Sequence, residues 1–271
     1  MEKIYNYLAL KLSSYKILVI ALSLLIYNFA LFIYLSLQSL QHNIFDLFIS
    51  QFEYFPLFVV YSLGYLLIIY NVNHKTNFYK YYYLKFKNKI QVYNMNVVTL
   101  LIISILFTIL INIFSFAEGI FTLPIQNSWS EYFFCIMNGT INIFYSLENV
   151  KILTNIMTPF TYILLINLFA IAYFFFQGLL YYVIDLFFNK DGLSLIIVII
   201  INTLNRFMDS LGGFYSKLSF TNNIYFITDS IESLSNYSFI LSRIFYWGIL
   251  IFAIYLLGKF KSVRNDYKFL D

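Results

Sequence analysis

Side chains able to do chemistry are sparse in this chain, and most of them stand alone. There are two histidines, His42 and His74, and one cysteine, Cys135. A single cysteine excludes a disulfide scaffold and a thiolate metal cage. The sequence holds no G-x-x-x-x-G-K-[ST] loop, no G-x-G-x-x-G turn and no H-E-x-x-H pair, the spacings that cradle phosphates or hold a catalytic zinc. The expectation is therefore no catalytic residue, no metal and no cofactor in this chain. One constellation stands out. Asn202, Asn205, Arg206 and Asp209 recur at i, i+3, i+4 and i+7, which lines them along one face of a helix. Such a stripe in an apolar helix reads as the wall of a translocation path. It reads equally as hydrogen bonding to a neighbouring helix, or as the helix leaving the membrane. Arginine at mid-span costs about 2.5–3.5 kcal/mol on insertion scales and much less at a span end, where Asp209 could pair with it.

The elements that would hold this stripe follow from composition. Of 271 residues, 61% are hydrophobic and 11% charged, with a mean hydropathy of +0.76 and a net charge of +4. Soluble chains run nearer to about 45–50% apolar and about 25% charged, so an ordinary soluble enzyme, a disordered chain and a nucleic-acid-binding domain are all excluded. Six apolar runs read as transmembrane helices: Ile17–Leu37, Pro56–Val72, Val97–Phe116, Phe160–Tyr182, a fifth starting at Leu193, and Phe239–Leu257. Each must be helical, because lipid offers no partner for an open strand edge. The fifth is the weakest. Its clean run ends at Ile201, and it gains length only by continuing through the polar stripe to Leu211, before Gly212 and Gly213 break it.

Lysine and arginine set the orientation. Thirteen fall before span one, between spans two and three, between four and five, and after six; only Lys151, Arg206, Lys217 and Arg243 fall on the other side. Positive residues stay cytoplasmic, so both termini are expected inside and His42 and His74 on opposite faces, unable to share a metal. Arg243 is expected to snorkel to the outer interface. Residues 1–16 place Ile4, Tyr5, Leu8, Leu12 and Tyr15 on one helical face, the pattern of an interfacial helix lying on anionic lipid. The loop 73–96 mixes five lysines with Phe78, Tyr79, Tyr81, Tyr82, Tyr83 and Phe86. That mixture suits a docking surface for another protein or an aromatic belt at the membrane interface. Three outer segments remain: 38–54, short and carrying Asp46 and Glu53, the long 117–158, and 206–238. The last repeats apolar residues through Phe214, Leu218, Phe220, Ile224 and Phe226, as short helices dipping into the outer leaflet would. The fold class expected is an all-α integral membrane protein forming one domain over residues 1–271.

Taken together, an amphipathic start, six spans, a basic aromatic inner loop and a semi-apolar segment before the last span resemble the membrane subunit of an ABC-2 type transporter. The stretch Lys75, Thr76, Asn77, Phe78, Tyr79 and Lys80, with Tyr82 beyond it, is similar to that family's coupling region, which docks into a separate ATPase subunit. The resemblance implies that ATP and Mg are bound by that partner and not here. It implies a second copy of this chain or a related permease completing the path, and an amphipathic cargo: a peptide, a bacteriocin-like toxin or a lipid-linked molecule. Residues 206–238 correspond to the family's re-entrant helices, and the long segment 117–158 departs from it. The Phe/Tyr/Ile/Asn/Lys bias suits a bacterial source, hence the cytoplasmic membrane, with lipids as partners and no nucleic acid. Competing readings are a membrane immunity or sensor protein that binds a peptide at its outer segments, an intramembrane enzyme, and a carrier driven by an ion gradient.

Overall fold

A computed structural model describes residues 14–38, 40–73, 88–135, 147–188, 192–211, 213–226, 234 and 236–264. Residues 1–13 of the expected interfacial helix, and Lys75, Thr76, Asn77, Phe78, Tyr79, Lys80 and Tyr82 of the expected coupling region, lie outside them. The described chain is helical, with no strand among the described residues. The elements are α1 (Tyr15–Ser36), α2 (Ile44–Gln51), a π-helical turn (Pro56–Tyr61) leading into α3 (Ser62–Asn73), α4 (Lys89–Gly119), α5 (Glu131–Cys135), α6 (Leu147–Ile156), α7 (Pro159–Phe188), α8 (Leu193–Leu211), α9 (Gly213–Lys217) and α10 (Ser238–Arg264). Helices α1, α4, α7 and α10 are long and apolar enough to cross a membrane, and the bent pair of α2 with Pro56–Val72 makes up to five. The chain is a multi-pass membrane protein by this measure.

The clearest mark of a membrane bundle is that its polarity is inverted. On α4 the buried positions include Asn96, Thr99, Ser104, Thr108 and Ser115, while Leu101, Ile105, Ile109, Ile113 and Phe116 point outward. In lipid, apolar surface gains nothing by burial, so helices associate through close packing and internal hydrogen bonds. The α4 hydroxyls close onto their own helix: Thr99 Oγ1 donates to Met95 O at 2.8 Å and Thr108 Oγ1 to Ser104 O at 3.0 Å. Short side chains satisfied in this way let the neighbouring helix approach. Helix α7 does so through Asn112 and Asn167, whose amides pair at 2.7 Å, and through Asn96 Nδ2, which donates to Tyr182 Oη at 2.8 Å.

These contacts fix an antiparallel order. Leu24 of α1 meets Gly64 of α3, Asn96 of α4 meets the far end of α7, and Tyr93 Oη of α4 donates to Tyr255 O of α10 at 2.9 Å. Ser194 at the start of α8 donates to Asp185 near the end of α7 at 3.0 Å. One end of the bundle therefore gathers Tyr15, Asn73, Lys89, Phe188, Leu193 and Arg264; we term it the basic end. The other gathers Ser36, Ile44, Gly119, Pro159 and Ser238.

Several boundaries differ from the sequence reading. Helix α4 begins at Lys89, inside the expected loop 73–96, because Asn88 caps it by accepting from Gln91 N at 2.8 Å. Residues Tyr15 and Lys16 belong to α1 rather than to a separate interfacial helix. The expected outer loop before span two contains α2, started by a capping box in which Asn43 accepts from Asp46 N at 3.2 Å and Asp46 Oδ2 accepts from Asn43 N at 2.7 Å. Helix α8 does continue through the polar stripe to Leu211, and Gly213 follows at φ +58°, a conformation that glycine adopts without a Cβ penalty.

Glycine also decides how closely α7 meets α3. A Cβ at Gly178 would lie 2.6 Å from the Tyr65 hydroxyl, and Tyr65 is wedged between Phe107 and Phe174 at centroid distances of 5.4 and 5.2 Å. Gly178→Ala is expected to lose about 1–3 kcal/mol by overpacking. Gly248→Ala, with no atom within 4 Å of its new methyl, is expected to lose none. Thermal unfolding of both variants in one detergent measures the difference.

Candidate functional site

The helix break between α2 and α3 creates the polar centre of the molecule. Pro56 has no N–H and opens a π-helical turn, and the helical stretch it begins, Pro56–Val72, is bent by 52° from α2. In that turn Ser62 N–H bonds Leu57 O and Val59 O and passes over Phe58 O. The Phe58 carbonyl is taken instead by Asn202 Nδ2 of α8, at 3.2 Å. From there a closed ring of hydrogen bonds links three elements. Asn202 Nδ2 donates to Ser62 Oγ at 3.1 Å, Gln177 Nε2 to Ser62 Oγ at 2.8 Å and to Tyr173 Oη at 2.7 Å, and Tyr173 Oη to Asn202 Oδ1 at 2.8 Å. Ser62, Gln177 and Tyr173 are buried. A second polar knot sits beside it, where the Tyr61 hydroxyl meets the side-chain oxygens of Asn28 and Gln51.

Above this ring lies a cavity of about 60 Å³ between the π turn, α8 and residues 220–221. Of its lining, Phe220 is buried, Thr203 and Arg206 are exposed, and Tyr54, Phe58, Val59, Asn202, Asn205 and Thr221 are half-buried. The four stripe positions therefore do different things. Asn202 is fully spent on the ring. Asn205 turns to the following segment, accepting from Phe220 N at 2.6 Å. Arg206 is exposed, with its guanidinium carbon 4.7 Å from the centroid of the Tyr54 ring. The backbone of Asp209 continues the helix; its side chain lies outside what the structure describes. Tyr54, Phe58, Thr203 and Thr221 were not singled out in the sequence. They come from three separate stretches, and no spacing rule joins them.

Phe220 and Thr221 of the lining belong to the segment from Gly213 to Phe226, which folds back onto the bundle and buries Phe220, Ile224, Tyr225 and Phe226. Helix α10 clamps it. Arg243 Nη2 donates to Asn222 O at 2.6 Å and to Tyr225 O, and Nη1 donates to Phe239 O at 3.1 Å. Trp247 Nε1 donates to Asn223 O at 2.9 Å and Tyr246 Oη to Leu218 O at 2.7 Å. The Phe226 and Phe239 rings lie 5.2 and 5.6 Å from the guanidinium carbon. Arg243 thus does not snorkel, as its sequence position suggested: it is 2% exposed and turned inward. Two carbonyls freed by a non-helical segment need a forked donor, and arginine supplies one.

Near Asn43 a separate cap is tied down. Ser130 Oγ donates to Asp46 Oδ1 at 2.7 Å and Asn43 Nδ2 to Ser128 O at 2.7 Å. His42 packs on Tyr132 with ring centroids 4.6 Å apart, its two ring nitrogens buried and without a hydrogen-bond partner. His74 lies outside the described residues, as does the side chain of Cys135. Among the described residues no three His, Cys, Asp or Glu side chains group as a metal site.

No family model matches the chain, and no solved structure matches it. It is similar to an uncharacterized protein of Halalkalibacterium halodurans, BH0177, at 28% identity over 235 residues, covering 85% of this chain and 82% of that one.

Arg243→Leu is expected to strand the Asn222 and Tyr225 carbonyls and cost about 2–4 kcal/mol. In a Cys135→Ser background, a cysteine at Thr221 should then label faster with a maleimide. Arg243→Lys should rescue only in part, because one ammonium cannot reproduce the fork. Unchanged labelling and stability would show that the clamp is dispensable.

Proposed function

We propose that this chain is the membrane subunit of an ABC-2 type transporter. It crosses the bacterial cytoplasmic membrane six times with both termini inside and moves an amphipathic cargo with energy from a separate ATPase. The observation that carries the reading is the fold-back of Gly213–Phe226 between α8 and α10, held by backbone-directed bonds from Arg243, Tyr246 and Trp247. A segment with that many buried aromatics and that much irregular backbone belongs at membrane depth only when protein satisfies its polar groups, as the re-entrant helices of such a subunit require. The antiparallel order of the long helices and the concentration of Lys16, Lys89, Lys259, Lys261 and Arg264 at one end support six crossings with that end cytoplasmic. The bacterial relative supports the location.

In this reading Lys75–Lys80 and Tyr82 form the docking surface for the ATPase, which binds ATP and Mg. Its closure pushes on the basic ends of α3 and α4. The two states of the bundle then differ in their contacts with the ATPase dimer, and that difference is what drives the shift. The outward apolar faces of α1 and α10, with Leu22, Ile26, Phe29, Phe245, Ile249 and Phe252 exposed, meet lipid or a second permease.

Affinity purification of the chain from its host membrane should recover an ATP-binding cassette subunit. Phe78→Ala with Tyr79→Ala should reduce that recovery at least tenfold while thermal unfolding of the chain stays unchanged. Single cysteines at residues 76–90 should label only after the membrane is permeabilised. Exterior labelling, or repeated recovery of no ATPase, overturns the reading. Protection against a peptide toxin by the chain alone would replace it with the immunity reading.

A further inference from the structure

We propose that the cavity at Arg206 binds the anionic head of an amphiphile, a phosphate or carboxylate group whose apolar part lies along α8. The inference stands independently of the ATPase partner. Three observations meet here. First, Arg206 is exposed, its guanidinium carbon lies over the Tyr54 ring at 4.7 Å from the centroid, and among the described residues no hydrogen bond or ion pair is made by its guanidinium. A contact with a ring uses none of the N–H donors in the ordinary sense, and those donors can pair with two oxygens of a phosphate or carboxylate. Second, the cavity beside it measures about 60 Å³, several times the 10–15 Å³ or so that one water needs. Its lining includes the Thr221 hydroxyl, which makes no hydrogen bond among the described residues and can donate to such a group, whereas the Thr203 hydroxyl is already given to Ile199 O at 2.8 Å.

Third, an apolar stripe runs along the same helix. Ile196, Ile200, Leu204, Phe207 and Leu211 are all exposed on α8, at the i, i+4, i+8, i+11, i+15 spacing of one helical face. Arg206 borders that stripe. A free anion would use only the cavity, whereas a lipid-like molecule would place its head at Arg206 and its chain on the stripe. An arginine beside an apolar surface favours a counter-charge, and an anionic headgroup with an apolar tail supplies one. The neighbouring Arg243 cannot serve, because its guanidinium is buried and bonded to carbonyls.

The test is native mass spectrometry of the purified full chain in a mild detergent, titrated separately with phosphatidylglycerol, phosphatidylcholine and inorganic phosphate. Phosphatidylglycerol should bind as one retained adduct and phosphatidylcholine at least tenfold more weakly. Arg206→Gln should weaken phosphatidylglycerol binding at least tenfold, while Lys217→Gln, a change at another exposed cation nearby, should not. Thr221→Val should weaken it two- to fivefold. Competition by millimolar phosphate with no retained lipid would assign the site to a free anion. Equal retention of both lipids, or wild-type retention by Arg206→Gln folded to the same melting temperature, overturns the proposal.

Discussion

The structure depends on one constraint: a polar group taken into the interior of this bundle must be closed by another part of the chain, because neither lipid nor apolar neighbours will do it. The ring of Asn202, Tyr173, Gln177 and Ser62 is the sharpest instance. Each member supplies what its neighbour lacks, and the ring joins α8, α7 and the start of α3 at one depth. Without it Phe58 O would lose its Asn202 donor, and Asn202, part of the cavity lining, would lose its partners. Since the apolar faces associate no better with each other than with lipid, bonds of this kind set helix order and depth. Generic burial does not.

The same constraint explains why irregular backbone appears where it does. The π turn at Pro56 and the fold-back after Gly213 both release carbonyls that a straight helix would use. In each case a long polar side chain from a neighbouring helix collects them: Asn202 for Phe58, Arg243 for Asn222 and Tyr225, Trp247 for Asn223. The breaks and their donors are therefore paired features, and the cavity lies between the two pairs. It is bounded on one side by the first break and on the other by the second, so movement of either changes its shape.

Much of this was legible in the sequence. The apolar runs at Ile17–Leu37, Val97–Phe116, Phe160–Tyr182 and Phe239–Leu257 lie within α1, α4, α7 and α10, apart from Leu37 just beyond α1, because length and hydropathy suffice for a long membrane helix. Helix α2 is also written there, as Asn43 followed by Asp46 and a run of Ile, Leu and Phe, a helix start inside the short outer segment 38–54. Arg243 was misread for a physical reason. Snorkelling is the default for an arginine near a helix end, and a sequence does not show that unbonded carbonyls from residues twenty positions earlier lie within reach. The stripe on α8 was visible as a stripe, yet its division into a ring member, a segment anchor and a free cation depends on Phe58, Phe220 and Tyr54, which the sequence places far away.

The two arginines on this side of the bundle state the difference between structure and function in the same chemistry. Both sit against aromatic rings, Arg243 with Phe226 and Phe239 and Arg206 with Tyr54. Arg243 is buried and has carbonyl partners for its fork, so its charge is offset by dipoles that the chain itself provides, and its role ends in holding the fold-back. Among the described residues Arg206 has the aromatic contact alone. It lines a cavity with the Thr221 hydroxyl, beside the exposed apolar stripe of α8. A cation that the described residues neither bury nor pair, placed where a charged molecule with an apolar tail would fit, is the feature that the folding constraint by itself does not require.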